Sequence, residues 1–363
     1  MAQIIPAPVA RGLYTTQLVK IYQQRKQVKK FLKRFFPDAV ANTLFIQWAV
    51  YREGEPLAVD VLRGTEGKRN TFANETDKQV LPPFYNENFD VTQTDLYYRA
   101  WNTDRVDVSL MADWMAWVQR KMQSVTNKIE RAQEKQRADF LQTGVITLAN
   151  GDQIDFKRSP TSTGDLGAGN YFSDEVDPIN SFFAPGIKFL KTVGKAEGGN
   201  YNCIFGENSL NGFLNNTFVK TRGRDFYMKL TDLQMPKMDS DGAAYHGRIS
   251  ADTYTVDLWS YPESYDTTLP PTVDTSRTYI DANQAILLPE NPDWSMAYGA
   301  VPMLPKGGTG MISGVPTVTP GAFVPYDYMD MRNTTWISGV KSAGIVLPAA
   351  VDLAYNKKVM PSA

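Results

Sequence analysis

Cysteine and histidine occur once each in this 363-residue chain, as Cys203 and His246. A lone cysteine excludes an intrachain disulfide framework and any cysteine-rich metal site, and it fits a chain folded in a reducing cytoplasm. One histidine leaves a Ser-His-Asp or Cys-His catalytic arrangement only His246 to use. It lies in Ala244-Tyr245-His246-Gly247-Arg248, with no G-x-S-x-G elbow in the chain. A turn histidine with a structural hydrogen bond is the expectation there. No run of about 18 apolar residues is present, and Met1–Ala10 lacks the charged flank and apolar stretch of a secretory signal, so a soluble intracellular product without membrane contact is expected. Acidic residues are absent from Met1 to Pro37. Phosphate-binding spacing is missing too: neither Gly64 to Gly67 nor Gly307-Gly308-Thr309-Gly310 has G-x-x-x-x-G-K-[ST]. Asp239-Ser240-Asp241-Gly242 only faintly resembles a calcium loop, and Cys203, within an apolar run, reads as a small buried hydrophobe. No catalytic residue, cofactor or metal site is expected.

What is present in quantity is apolar and balanced charge. Hydrophobic residues make up 42%, enough for a sizeable core in two or three structural units. The 38 basic and 39 acidic residues give a net charge of -1, so any electrostatic role is regional. The strongest helical signal runs from about Asp104 to Gln142. Met111, Met115, Val118, Met122, Val125, Ile129 and Ala132 recur in steps of four and three, while Lys, Arg, Glu and Gln fill the other faces. Asp104 and Asp107 offer capping oxygens, no Pro or Gly intervenes, and Gly144 supplies the stop. At 1.5 Å per residue the rod would be roughly 55 Å long, more than a compact domain needs.

The remaining chain is organised around that rod. Arg11, Lys20, Arg25, Lys26, Lys29, Lys30, Lys33 and Arg34, with apolar residues near helical spacing, read as a basic amphipathic helix over residues 16 to 36. Its candidate partners are nucleic acid, an acidic partner or a membrane surface, against the preferred alternative of an arm packed by its apolar stripe. Leu44–Tyr51 and Leu57–Leu62 read as strands of a long hairpin separated by Arg52-Glu53-Gly54-Glu55-Pro56. Charge of both signs follows in Arg63 to Thr71. The hairpin has too few apolar residues for a core of its own, so it either lies on something else or is a solvated loop. Phe84, Tyr85, Phe89, Tyr97, Tyr98 and Trp101 are core or interface. After Gly144, Val145–Leu148 and Gln153–Phe156 flank Asn150-Gly151, a strong hairpin signal. Residues 157 to 186 read as loop. Helices are expected at Ile187–Lys195 and Glu207–Val219. Strands are expected at Tyr201–Phe205, Thr253–Trp259, Gly344–Leu347 and Ala350–Leu353, and Ala285–Leu288 is an apolar run.

Several stretches in this order resemble one family. They are Val59-Asp60-Val61-Leu62-Arg63-Gly64-Thr65-Glu66-Gly67, then Gly151-Asp152-Gln153-Ile154-Asp155-Phe156-Lys157-Arg158 and Gly247-Arg248-Ile249. Leu258-Trp259-Ser260-Tyr261 with Tyr265, Ile280 through Pro289, and Ser342 with Leu347-Pro348 complete the set. Together they span most of residues 41 to 350 and resemble the major capsid protein E group of tailed-phage coat proteins, lambda-like, with the HK97 fold. The resemblance implies an α+β capsid fold. Its parts would be a basic N-terminal arm (1–40), an E-loop hairpin (41–92), a P-domain with a spine helix (93–186), an A-domain (187–288) and a remainder returning to the P-domain (289–363). It implies a structural protein of the virion, assembled in the host bacterial cytoplasm into hexamers and pentamers of an icosahedral shell. Portal and scaffold proteins, a possible decoration protein and packaged double-stranded DNA would be its partners. Arg52, Glu55, Arg63, Glu66, Lys68 and Arg69 would then make intersubunit contacts, and Arg25, Lys26, Lys29, Lys30, Lys33 and Arg34 would face scaffold or DNA. The alternative is a shell of the same fold enclosing protein cargo. An enzyme using His246 is the third.

Overall fold

The computed structural model describes residues 28–50, 76–92, 95, 109–148, 151–174, 176–224, 237–251, 254–266, 276–303, 317–330 and 335–361. Helix α1, Ser109–Thr143, is the longest element. Its end follows from the sequence. Gly144 takes a φ of +73°, open to glycine without strain, and its amide donates to Phe140 O at 2.9 Å. Residues 104 to 108 of the expected helix lie outside the described residues.

A five-stranded sheet lies against α1. Its organising strand, Thr335–Pro348, pairs antiparallel with Phe84–Val91, with Val324–Asp330 and with Trp294–Tyr298; Asp38–Val40 joins the last in parallel. Val125, Ile129 and partly buried Met122 on α1 meet Val340, Tyr85 and Phe89 from this sheet. Only Gly344–Leu347 was expected as strand there, because Gly339, Lys341 and Ser342 interrupt the apolar pattern. Gly339 is a packing requirement: a Cβ on it would meet Glu87 O at 2.6 Å and the Tyr326 hydroxyl at 2.7 Å.

The second sheet has six strands, in the order Tyr355–Lys358, Gln284–Pro289, Asn200–Phe205, Tyr254–Ser260, Ala244–Ala251 and Lys237–Met238. Asn200–Phe205 and Gln284–Pro289 are buried almost throughout, as central strands covered on both faces must be. Helices α2 (Ala184–Thr192) and α3 (Glu207–Asn215) supply Ile187, Leu190 and Phe213 to the core on this sheet, with Phe182 and Phe183 from a π-helical turn before α2. A second core joins both sheets through Phe140, Leu141, Trp294, Met296 and Tyr298.

Two local expectations are corrected. The helix expected over Glu207–Val219 breaks at Asn216 into α3 and α4 (Thr217–Arg224), because Asn216 is buried and its Oδ1 accepts the Phe218 amide at 2.9 Å. Ala350–Leu353 is a turn, and the strand lies at Tyr355–Lys358. The apolar run buries Leu353 in the core while Ala350 O accepts the Trp294 indole N–H at 2.7 Å. Ile46–Val50 pairs with Thr76–Val80, from Ile46 opposite Val80 to Val50 opposite Thr76. Leu57–Leu62, the expected partner, lies outside the described residues. The Asn-Gly hairpin forms as expected: Val145–Thr147 pairs with Gln153–Asp155, and Gly151 takes a φ of +90°.

Candidate functional site

The arm root is docked by packing. Phe31–Phe35 is a single 3-10 turn, and residues 28–30 before it are not helical. Phe31, Leu32, Phe35 and Phe36 are all buried. Phe36 stacks on Trp294 with ring centroids 5.2 Å apart and meets Phe140 edge-on at 5.9 Å. Burial of each such side chain contributes about 1.5–3 kcal/mol, against ~0–1 for an exposed ion pair, so apolar contact holds the arm.

The basic residues around that turn meet groups of the same chain. Lys29 Nζ donates to Ser240 O at 2.8 Å, Lys30 pairs with Glu130, and Lys33 Nζ lies 2.6 Å from Asp38 Oδ2. The Arg34 guanidinium sits 5.3 Å above the Trp259 ring. Arg25 and Lys26 lie outside the described residues, as do Arg52, Glu55, Arg63, Glu66, Lys68 and Arg69. The structure thus brings together Lys29, Lys30, Lys33 and Arg34 around the docked turn. The Asp239-Ser240-Asp241-Gly242 turn holds a lysine: Gly242 has a φ of +89°, and a Cβ there would meet Lys29 Cβ at 2.7 Å.

Beneath the arm, α1 changes character. Its apolar seam gives way after Ile129, and Gln133, Glu134, Gln136 and Arg137 are all buried beside Ala138, Phe140 and Leu141. Polar faces expected in water are instead enclosed by the arm root and the sheets. Each of these four side chains has a hydrogen-bond partner, while Gln136 Oε1 and Arg137 Nε lack one. Glu134 Oε2 accepts Arg137 Nη1 at 2.9 Å, and Glu134 Oε1 accepts the Leu32 amide at 2.8 Å. The Tyr261 hydroxyl lies 3.3 Å from Glu134 Oε1 and 3.1 Å from Lys29 O. Gln133 bridges Ser342 Oγ and the Tyr298 hydroxyl, and Gln136 Nε2 reaches the Tyr85 hydroxyl at 2.6 Å. Burial raises the Glu134 pKa above its ordinary value, with the Arg137 charge and the Leu32 amide opposing. At the helix end, the guanidinium of buried Arg158 donates to Phe140 O at 3.2 Å and Leu141 O at 2.7 Å, and also to Ala354 O. It satisfies Leu141 O, which the helix leaves open, and adds a second donor to Phe140 O beside the Gly144 amide; burial lowers its pKa to about 10. Periodicity could not find Glu134, Arg137 or Arg158. No local signal marks them, since no aromatic residue lies between Trp117 and Phe140 and the burying groups come from distant segments.

Neither Cys203 nor His246 is activated for catalysis by its surroundings. Cys203 is wholly buried, which pushes its thiol pKa up. His246 stands in the strand Ala244–Ala251 instead of the expected turn, its Nε2 2.8 Å from Ser260 Oγ, and burial lowers its pKa. Among the described residues no group of three or more His, Cys, Asp or Glu could hold a metal ion, and no helix is long and apolar enough to cross a membrane.

Among the described residues, two groups of exposed large hydrophobics belong to the first sheet, apart from Val193, Leu214, Phe218, Met238 and Val318 elsewhere. Val40, Leu44, Phe45, Leu81 and Phe84 surround the root of the Ile46–Val50 ribbon and are 39% to 62% exposed. Tyr328, Met329 and Trp336 stand at the far end of the sheet.

The sequence matches the phage major capsid protein E family over residues 15–318. No curated protein sequence matches it. Among solved structures it is similar to a protein assigned as the capsid protein of a prophage of E. coli CFT073, with a TM-score of 0.57 and 14% identity over 95% of this chain and 98% of that one. A phage-related protein of Bordetella bronchiseptica RB50 has a TM-score of 0.48 and 12% identity, over 94% of this chain and 96% of that one. The capsid of Ralstonia phage GP4 has a TM-score of 0.48 and 7% identity, over 94% of each. The first likeness shows a shared mixed helix and strand fold. With the family match covering residues 15–318, well over half of the chain, this chain belongs to the phage major capsid protein E family, whose members are structural coat proteins and not enzymes.

Proposed function

We propose that this coat protein forms the icosahedral head enclosing phage double-stranded DNA, through the divisions of the HK97 fold. Residues 1–40 serve as the arm, 41–92 as the E-loop, 93–186 as the P-domain with α1 as its spine, 187–288 as the A-domain, and 289–363 as its remainder and the returning strands. The observation that carries this is the ribbon of Ile46–Val50 and Thr76–Val80. Among the described residues it pairs with no other strand, and at its root Ile46 and Val80 pack against Ala297 and Ile345. A two-stranded ribbon is marginal alone, so a neighbouring subunit is what it gains stability from. Arg52, Glu55, Arg63, Glu66, Lys68 and Arg69 would set register there, each pair adding only ~0–1 kcal/mol.

Electron microscopy of the purified protein tests the reading. Shells, rings or tubes are expected from the full chain, and a soluble monomer from a deletion of residues 52 to 70. A full chain that stays monomeric under all conditions, with and without a scaffold protein, overturns it. Arg25 and Lys26 are the arm positions proposed to touch scaffold or DNA, while portal, decoration protein and host cytoplasmic assembly follow from the same reading. A shell around protein cargo is not favoured by the family, and mass spectrometry of particle contents separates the two.

A further inference from the structure

The two exposed apolar clusters lie at opposite ends of one ladder. Along Thr335–Pro348, Ala343 faces Phe84 and Trp336 faces Val91, so seven residues of strand, roughly 23 Å, separate the ends. At the first end the cluster is continuous. Val40 pairs with Tyr298, Thr43 O accepts the Ala300 amide, Pro82 packs at Gly299, and the Gly299 amide donates to Ala343 O opposite Phe84. Val40, Leu44, Phe45, Leu81 and Phe84 therefore border one tract, Tyr298–Ala300. At the other end Met329 is the direct cross-strand partner of Trp336, and Tyr328 adjoins them.

Their sizes decide what can cover them. From residue areas and these exposures, the first patch presents about 500 Å² and the second about 350 Å², the first matching the ~300–600 Å² of the largest, often functional, patch on a monomer. Joined face to face they bury about 850 Å² of these largely apolar residues, close to the ~57% apolar share of a standard interface of ~1,600 Å². Either patch docked on itself would close a two-fold dimer and stop. A patch at one end meeting a different patch at the other propagates, as closure into rings and shells of identical subunits requires.

We infer that the ribbon-root patch of one subunit, centred on Phe45 and Leu81, seats the Tyr328–Met329–Trp336 end of a second copy of this chain. This head-to-tail contact rests on the coat-protein reading and names a surface and partner within it. It is apolar, so it should tolerate salt, unlike contacts made by exposed charge.

The test is a set of substitutions at exposed positions, with folding checked by thermal unfolding. Leu81→Glu and Met329→Lys should each leave the midpoint within a few degrees of the parent and lower particle yield at least tenfold, and the double variant should recover assembly. Because the one native cysteine is buried, L81C with M329C offers a clean second readout. Oxidised particles of that double variant should run as a ladder beyond dimer on non-reducing gels, whereas neither single variant should. Normal particle yield from both single charge variants, or assembled double-cysteine particles that give no ladder, overturns the contact while leaving the coat reading intact. An unmodified chain that never assembles overturns the coat reading itself.

Discussion

The backbone amide of Leu32 donates to Glu134 Oε1 at 2.8 Å, tying the arm root to the interior of a helix 102 residues further along the chain. The same carboxylate pairs with Arg137, and both side chains are almost completely buried. Arm docking and helix integrity thus share one group. Glu134→Ala leaves Arg137 buried without its partner and should cost about 3–5 kcal/mol in chemical unfolding. The Leu32 amide should exchange its hydrogen faster in that variant. Glu134→Gln keeps an acceptor for Leu32 and should lose less. Equal losses from both would mean that volume, not hydrogen bonding, sets the cost.

Arg158 and Gly144 close the same helix. Arg158→Met removes the donor to Phe140 O and Leu141 O and should cost about 2–4 kcal/mol, since buried carbonyls lose a charged partner. Gly144→Ala meets both the positive φ and the Arg158 Cβ, 2.8 Å from any added methyl. A loss of at least about 1 kcal/mol is expected, and unchanged denaturation midpoints for both variants would sink the capping account.

Asn216 performs two tasks in the second sheet's helical layer. Its Oδ1 accepts the first amides of α4, and its Nδ2 faces Phe172 O, Asp174 O and Val176 O at 3.0, 3.3 and 3.0 Å. Asn216→Ala should cost about 2–4 kcal/mol and speed proteolysis near residues 172 to 176. Asn216→Asp keeps the cap and loses the donor, so it should fall between the two. A wild-type proteolysis rate in Asn216→Ala would show that the loop is held by other contacts.

His246 sets a pH dependence whose sign follows from burial. Its folded pKa is lowered, so the unfolded chain takes up the proton first. The stability it contributes is complete above the unfolded value of about 6.5 and is lost as pH falls from there through the folded pKa. Between about pH 7.5 and pH 5 the wild-type melting temperature should fall more steeply than that of His246→Gln. Parallel slopes would remove His246 from the acid response.

Local patterning in the sequence determined those elements whose cause is local. Helix α1 and its stop at Gly144 were legible because apolar spacing and glycine chemistry act within a few residues, and the Asn-Gly hairpin was legible for the same reason. So was the buried strand Asn200–Phe205, expected at Tyr201–Phe205. The resemblance to the capsid family rested on short runs in a fixed order, which the family match then bore out. Tertiary structure alone decided the rest. The full extent of Thr335–Pro348 depends on the strands that flank it, distant Phe84–Val91 together with Val324–Asp330 and Trp294–Tyr298, which pack against its glycines. The polar face of α1 at Gln133–Arg137 is buried only because the arm and two sheets close over it. The lysines of the arm read as one basic face, but Lys29, Lys30 and Lys33 meet oxygens of distant or neighbouring elements, which no periodicity encodes. Exposure is likewise a property of the folded surface: Phe45, Leu81 and Trp336 look like core residues in sequence and stand outside it in the fold.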